Sequence, residues 1–183
     1  MAGRTRFMAW FRFKIMTRLS AALVAVFLLG GCSHVEARTV VAGDSLCVGL
    51  AQAAGLKSYA RVGAPTREVV SQLRRIEEGA TVIVCAGTND SAAKLAGFND
   101  AVDAVLLEAK KRNQRIIWVG PISTSLWWDR YSDQADTLLA LKTKPYVSLR
   151  AIGWNRGERA VDHIHLTRNG QLRLWGIIKE KLK

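Results

Sequence analysis

The most constraining feature of the chain is a repeated alternation between short, continuously apolar runs and longer segments with helical periodicity. The clearest apolar run covers residues 81–86, where β-branched residues dominate and a glycine follows at once. Strands that are apolar throughout, rather than at every second position, are typical of a parallel sheet covered on both faces. Because parallel strands need crossover connections, the alternation predicts a three-layer, doubly wound α/β domain.

Glycine, proline and the spacing of apolar residues set the limits of the predicted elements. Strands are predicted at residues 39–42, 58–62, 81–86, 115–120 and 146–152. Helices are predicted at residues 45–54, 65–76, 98–112, 132–141 and 171–182. The carboxyl ends of parallel strands meet at one rim of the sheet, and ligands of such folds bind there. Functional residues are therefore expected in the turns that follow the strands.

The charge balance points to no particular polymer as a partner. The 183 residues carry 27 basic and 15 acidic side chains, a net charge of +12, and five of the basic residues precede Cys32. The other basic residues are interspersed with Asp and Glu, without the basic block and interleaved aromatics of a nucleic-acid site. A solvated, mixed-charge surface is the expected arrangement, and no nucleic-acid partner is expected.

The N-terminal residues are predicted to form an export signal rather than a part of the domain. Residues 19–31 are apolar, follow basic residues and end in glycines. The run is shorter than the roughly 20 residues of a membrane span, and its order is that of a secretory signal. Met16 is a candidate start, because the chain from there would already make a compact signal.

The end of this signal, Leu29-Gly30-Gly31-Cys32, resembles the bacterial lipobox. The resemblance implies a signal peptide over residues 1–31, acylation of Cys32, a tether over residues 32–38 and a domain over residues 39–183. Two acyl chains anchor a protein stably to a membrane, so an envelope lipoprotein facing the periplasm or the exterior is expected. A cleaved signal with a chance cysteine and an uncleaved anchor helix are the alternatives.

Two further cysteines, Cys47 and Cys85, fall inside the predicted domain. Their spacing matches no metal-binding pattern. An oxidising compartment would permit a bridge between them. Two buried free thiols are the expected state.

Ser45 lies where the first predicted strand turns into a helix, in the stretch Gly43-Asp44-Ser45-Leu46. A serine at this place can be exposed at the rim, with helix amides behind it that stabilise negative charge. Serine is also a common helix cap, and taken alone the cap is the commoner role.

Asp162 and His165 stand three residues apart near the end of the domain. This spacing can place a carboxylate beside an imidazole, the pair that activates a serine nucleophile. A surface loop is one alternative. A metal site with His163 is another, but no further convincing ligand set is present, and no metal is expected.

Two more turns add polar groups to the rim. Asn89, in Gly87-Thr88-Asn89-Asp90, can direct its amide toward an oxyanion, although Asn-Asp is also a good turn sequence. Gly63 lets a backbone N–H approach a ligand without a side chain in the way. Each signal is weak alone.

Together the four blocks, GDSL, the glycine, GTND and the D-x-x-H of Asp162 and His165, resemble the SGNH subgroup of the GDSL hydrolases over residues 39–170. The resemblance implies a flavodoxin-like fold with a five-stranded parallel sheet of order 2-1-3-4-5. It implies Ser45 as nucleophile, His165 as base and Asp162 as its orienting carboxylate. The backbone N–H groups of Ser45 and Gly63 and the side chain of Asn89 would form the oxyanion hole, and no cofactor is implied.

The substrate is less well defined by the sequence. The location and the family favour an ester substrate on acylated envelope polysaccharide, carrying small O-acyl groups. A lipase or thioesterase acting on longer acyl chains, and a non-catalytic envelope carbohydrate-binding lipoprotein, are the alternatives. Trp127 and Trp128 fall on the predicted rim, where they either contact a ligand or pack against the adjacent helix.

Overall fold

The computed structural model describes residues 38–183. Five strands form one sheet in the order β2-β1-β3-β4-β5, and every neighbouring pair is parallel. The predicted α/β class, strand number and strand order are confirmed. The strands are β1 (Thr39–Gly43), β2 (Lys57–Ser58), β3 (Thr81–Cys85), β4 (Arg115–Val119) and β5 (Tyr146–Val147).

In residues 38–183, six helices connect and cover the strands. They are α1 (Ser45–Ala54), α2 (Thr66–Arg74), α3 (Thr88–Ala92), α4 (Phe98–Lys111), α5 (Asp129–Lys142) and α6 (Arg168–Leu182). Helices α1 and α6 pack together on one face of the sheet, whereas α2, α4 and α5 cover the other. The domain is therefore doubly wound in three layers, as the alternation of the sequence predicts.

The central strands divide their side chains between two apolar cores. In β3, Val82 and Val84 face the core beneath α2 and α4, and Ile83 faces the core beneath α1 and α6. All three are completely buried. This division explains why the run is apolar at every position, because both faces of the strand exclude water.

The edge strands and one helix differ from the prediction. Strand β2 ends at Ser58, but the N–H groups of Tyr59 and Arg61 still donate to Val41 and Gly43 at 2.9 and 3.0 Å. Strand β5 is limited to Tyr146 and Val147. Residues predicted as a turn after β3 instead begin the short helix α3.

Cys47 and Cys85 are joined in a disulfide, so the expectation of two free thiols is wrong. The sheet order explains the pairing. Strand β1 lies beside β3, with Gly43 opposite Cys85, and α1 begins two residues later. The first turn of α1 therefore carries Cys47 over the end of β3, where the two Cα atoms are 5.3 Å apart. A separation of 38 residues in sequence gave no sign of this contact.

The predicted signal peptide and Cys32 lie outside the described residues. Among residues 38–183, no helix has the length and hydropathy required to cross a bilayer.

Candidate active site

The turn between β1 and α1 is built so that only glycine fits its first position. Gly43 has φ of +119°, and a Cβ there would collide with the carbonyl oxygen of Cys85. Asp44 follows as the N-cap of α1, where its carboxylate accepts a hydrogen bond from the N–H of Leu46 at 2.9 Å. The cap is therefore Asp44, which leaves the hydroxyl of Ser45 free for other contacts.

Ser45, His165 and Asp162 form one hydrogen-bonded chain. Ser45 Oγ lies 2.8 Å from His165 Nε2, and His165 Nδ1 lies 2.6 Å from Asp162 Oδ2. Ser45 and His165 are 120 residues apart in sequence and come from opposite ends of the domain. The structure thus brings together the three predicted side chains in the order that proton transfer from a serine requires.

Asp162 is held in place as a carboxylate by its own loop. Its Oδ1 accepts hydrogen bonds from the backbone N–H groups of Ile164 and His165, both at 2.9 Å. Partial burial opposes ionisation, but the hydrogen bonds from the His165 ring and the two N–H groups outweigh it and lower the pKa of Asp162 to about 2. Asp162 is therefore an anion at neutral pH.

Arg159 ties this loop to the segment after β4. Its guanidinium donates to the carbonyl oxygens of Ser123 and His163, and His163 has a positive φ of 60°. This residue was missed by the sequence analysis, which had no signal that joined residue 159 to residue 123.

The Gly63 and Asn89 turns contact each other directly. Asn89 Nδ2 donates to the carbonyl oxygen of Ala64 at 3.1 Å. The carboxylate of Asp90 accepts from the Thr66 N–H at 3.0 Å and from its hydroxyl at 2.7 Å. Since one N–H of the Asn89 amide is used in this way, the second remains available to a ligand.

Two backbone donors complete the set of predicted oxyanion contacts. Within residues 38–183, the N–H groups of Ser45 and Gly63 have no hydrogen-bond acceptor. The N–H of Ser45 is one of the first in α1, where the helix cannot satisfy it. Gly63 has a φ of +75° and an exposed backbone, so an incoming oxygen can reach its N–H.

A buried side-chain amide holds the turn between β1 and α1 in place. Gln72, on α2, accepts from the N–H of Gly43 at 2.5 Å and donates to its carbonyl oxygen at 3.1 Å. Both backbone groups of Gly43 are thereby held by one side chain. Nothing in the local sequence around Gln72 distinguishes it from a solvent-facing helix residue, and the sequence analysis missed it.

Asp44 is a second acidic group of the site that the sequence analysis left without a role. It is completely buried, and burial raises its pKa to about 7 despite the hydrogen bond from the Leu46 N–H. Its Oδ2 has no hydrogen-bond partner among the described residues. A neutral carboxylic acid is the favoured form of Asp44 below neutral pH.

The site is an open surface. The side chains of His165 and Asp162 are 41% and 44% exposed. Three cavities in residues 38–183 are lined by residues other than Ser45, Asn89 and His165. The hydroxyl of Ser45 can therefore be reached from solvent without passage through a deep pocket.

The structure bears on the metal-site alternative and on the two tryptophans near the rim. Within residues 38–183, no three His, Cys, Asp or Glu side chains group in a way that could hold a metal ion. Trp128 is buried against the domain, whereas Trp127 is 64% exposed on the segment before α5. Trp128 thus packs against the domain, and contact of Trp127 with a ligand stays a prediction.

Sequence comparisons identify no relative: no family model matches the chain, and no curated protein matches it. Structural comparisons find proteins with a similar fold. The SGNH-hydrolase candidate from Slackia heliotrinireducens is 15% identical with a TM-score of 0.59, over 80% of this chain and 99% of that one. A GDSL-like lipase from Bacteroides thetaiotaomicron is 17% identical with a TM-score of 0.60, over 91% and 96%.

A family 3 carbohydrate esterase from Clostridium thermocellum is also similar, at 14% identity and a TM-score of 0.56, over 79% of this chain and 94% of that one. At such low identities the likeness concerns the fold, and function has to be argued from the site. The resemblance carried by the four short motifs is thus confirmed by the whole backbone: the chain has the fold of the SGNH/GDSL hydrolases.

Proposed function

We propose that the protein is a serine ester hydrolase that acts through an acyl-enzyme. The observation that carries the proposal is the chain of contacts from Ser45 to His165 at 2.8 Å and from His165 to Asp162 at 2.6 Å. A serine used only as a helix cap would not need a histidine on its hydroxyl, and in this turn Asp44 is already the cap.

The mechanism follows from these contacts. Ser45 Oγ attacks the ester carbonyl carbon while His165 Nε2 takes its proton, and Asp162 stabilises the resulting imidazolium. The tetrahedral intermediate collapses, the C–O bond to the alcohol breaks, and His165 gives the proton to the leaving alkoxide. Water then attacks the acyl-enzyme with His165 again as base, which releases the acid and restores Ser45.

The oxyanion of each tetrahedral intermediate would be stabilised by the N–H groups of Ser45 and Gly63 and by the second N–H of Asn89. These donors are fixed before substrate arrives, because Gln72 holds the Gly43 turn and the Asn89–Ala64 contact joins the other two turns. Preorganised donors stabilise developing charge without a cost of reorientation during the reaction.

The proposed substrates are small O-acyl esters, such as acetyl esters, on envelope carbohydrate. The exposed triad suits an ester on a bulky polymer, and the exposed Trp127 offers a surface on which a sugar ring can stack. The similarity in fold to a carbohydrate esterase is consistent with this choice. A lipase or thioesterase would instead need an apolar groove for a long acyl chain next to Ser45.

The protein is further proposed to act outside the cytoplasm, attached through lipid on Cys32. The Cys47–Cys85 disulfide supports export, because structural disulfides persist in oxidising compartments. Labelled palmitate should enter the wild-type protein and be absent from Cys32→Ala. Incorporation that is equal in both proteins, or missing from the wild type, would contradict lipidation at this residue.

Hydrolysis of p-nitrophenyl esters tests the proposed activity. Ser45→Ala should lose turnover of the acetyl ester, whereas Ser71→Ala, which removes an exposed hydroxyl on α2, should retain it. Rates should fall from the acetyl to the octanoyl ester if the site takes small acyl groups. Undiminished hydrolysis by Ser45→Ala would refute the assignment, and a preference for the longest ester would favour the lipase alternative.

A further inference from the structure

The described domain carries its net positive charge at one edge of the sheet. Register places Thr39, Thr81 and Arg115 side by side at the amino ends of β1, β3 and β4. The helices return antiparallel to the strands, so their last turns reach the same edge. We define the amino edge as Arg38, the last turns of α1, α2, α4, α5 and α6, the residues that follow each of the first four turns up to and including the first residue of the next strand, and Lys183.

The amino edge is strongly basic. Its only acidic side chains are the four glutamates Glu77, Glu78, Glu108 and Glu180. Its thirteen basic side chains are Arg38, Lys57, Arg74, Arg75, Lys110, Lys111, Arg112, Arg115, Lys142, Lys144, Lys179, Lys181 and Lys183. The rest of the described chain holds nine basic and ten acidic side chains, which nearly cancel. The mixed surface expected from the sequence is therefore limited to the part outside this edge.

Most of these cations are not neutralised by the protein. Five of them form ion pairs, and eight have no acidic partner among residues 38–183. Those eight are Lys57, Arg75, Lys110, Lys111, Arg115, Lys144, Lys179 and Lys181. Cations at helix carboxyl ends do interact favourably with the helix dipole. That explanation does not cover Lys57, Arg115 and Lys144, which lie in strands or loops.

Three of the cations surround a cavity of about 500 Å³ at this edge. Lys110, Arg115 and Lys144 line it, together with the apolar side chains of Leu106 and Pro145. The guanidinium of Arg115 is fixed by hydrogen bonds to the carbonyl oxygens of Lys181 and Leu182. A concave site with several cations and an apolar wall suits a phosphate group attached to a lipid.

We propose that the amino edge docks on the surface of an anionic lipid bilayer, with lipid phosphate in the cavity of Lys110, Arg115 and Lys144. The described chain starts at this edge with Arg38, and the proposed lipid attachment at Cys32 lies only six residues earlier. Six residues span at most about 22 Å, so a lipid anchor would keep this edge near the headgroups. Surface charges act over about 8–10 Å at physiological salt, which is within that reach.

The consequence concerns orientation. The candidate active site lies at the opposite ends of the same strands, after Gly43 and Cys85. Docking of the amino edge would therefore point Ser45 away from the membrane, toward polymer in the surrounding envelope. The inference rests on the proposed lipid attachment and deepens the proposed function, because it selects esters outside the bilayer over esters of membrane lipids.

The test uses the full, lipidated chain reconstituted in vesicles, with a fluorophore on one introduced cysteine. Leu141→Cys places the label beside the amino edge, and Val161→Cys places it near the active site; both positions are strongly exposed. With a quencher on the lipid headgroups and phosphatidylglycerol in the bilayer, quenching should be several-fold stronger at position 141. The difference should shrink in phosphatidylcholine alone and in 1 M salt, where the Debye length is about 3 Å.

Two triple variants identify the charges responsible. Lys110→Gln, Lys111→Gln and Lys144→Gln together should abolish the difference between the labels. The matched control Arg67→Gln, Lys94→Gln and Arg130→Gln, exposed cations outside the amino edge, should retain it. Equal quenching at both labels would overturn the proposal, and so would a control variant that loses the difference to the same extent. The proposal would also be overturned if the first triple variant no longer bound a soluble polyanion but still docked on vesicles.

Failures of the separate proposals can be distinguished in the same samples. If the measured mass of the purified protein included no acyl groups, lipid attachment would be overturned, and the proposed orientation with it. Absence of ester hydrolysis beside strong quenching at position 141 would contradict the proposed activity alone.

Discussion

The two ends of the sheet differ in how they hold their charges. At the carboxyl rim, the acidic groups Asp44, Asp90 and Asp162 are placed by hydrogen bonds to backbone and side chains. At the amino edge, eight cations have no acidic partner among the described residues. We infer that fixed polar groups suit the rim to the proposed chemistry, whereas these eight cations suit the amino edge to the proposed long-range attraction to a membrane.

The largest effect is expected at Asp162. Asp162→Asn would offer an amide N–H to His165 Nδ1, which favours the tautomer that cannot take the Ser45 proton. By analogy with known serine hydrolases, kcat should fall about 10⁴-fold, with a small change in KM. Steady-state kinetics on p-nitrophenyl acetate measure both constants.

Asp133→Asn is the matched control for this variant, because Asp133 is an exposed carboxylate on α5. It should keep kcat near the wild-type value. If kcat fell as far in the control as in Asp162→Asn, activity would depend on the overall charge near the site rather than on the hydrogen bonds that join Ser45, His165 and Asp162.

Asp44 should make the stability of the domain depend on pH. Its pKa is raised from 3.8 to about 7, so the folded state keeps a proton that the unfolded state loses. The free energy of unfolding should be highest near pH 4 and fall by up to about 4 kcal/mol as the pH rises to 7. Urea unfolding at a series of pH values measures this decline.

Asp44→Asn should flatten the decline of the unfolding free energy with pH. Asp100→Asn, which removes an exposed carboxylate at the start of α4, should leave the decline unchanged. Asp162 has the opposite sign, because its lowered pKa favours the folded state as the pH rises from 2 to 4. An unchanged profile in Asp44→Asn would mean that another group causes the dependence.

A somewhat smaller effect is expected at Asn89. Asn89→Ala removes one oxyanion donor, which typically lowers kcat by 10²- to 10³-fold. It also breaks the contact with Ala64, so Thr66→Val, which removes a hydroxyl that donates to Asp90 in the same turn, is the structural control. If Thr66→Val loses as much activity as Asn89→Ala, the effect of Asn89 is positional rather than electrostatic.

The smallest effect is expected at the opposite end of the sheet. Replacing Lys110, Lys111 and Lys144 by glutamine should leave kcat on p-nitrophenyl acetate within about twofold, since the rim lies beyond the Debye length of these charges. Kinetics in solution without vesicles measure this independence. A large loss of activity would show that the two ends of the sheet are coupled.

The fold was largely predictable because its signals are local. A glycine follows each of the first three predicted strands, and the structure has strands in the same order along the chain. The apolar run 81–86 marks a strand that is buried on both faces. The short strands β2 and β5 were drawn too long because they lie at the sheet's edges. There a few backbone hydrogen bonds, such as Tyr59 to Val41, continue without a regular ladder.

Three features could not be predicted from the sequence, because they depend on contacts between segments that are distant along the chain. The Cys47–Cys85 bridge requires β1 and β3 to be neighbours, and the clamp of Gln72 on Gly43 requires α2 to lie beneath the first turn. The basic edge is equally hidden, because its residues are spread from Arg38 to Lys183 and meet only when helices run back along the strands.

The central claim is that Ser45 is the reacting nucleophile, and covalent labelling tests it most directly. The full chain treated with a fluorophosphonate probe and mapped by peptide mass spectrometry should carry a single adduct on Ser45. The adduct should be absent from His165→Ala and from protein unfolded before labelling. An unlabelled native protein, or an adduct on another residue with Ser45 intact, would contradict the account.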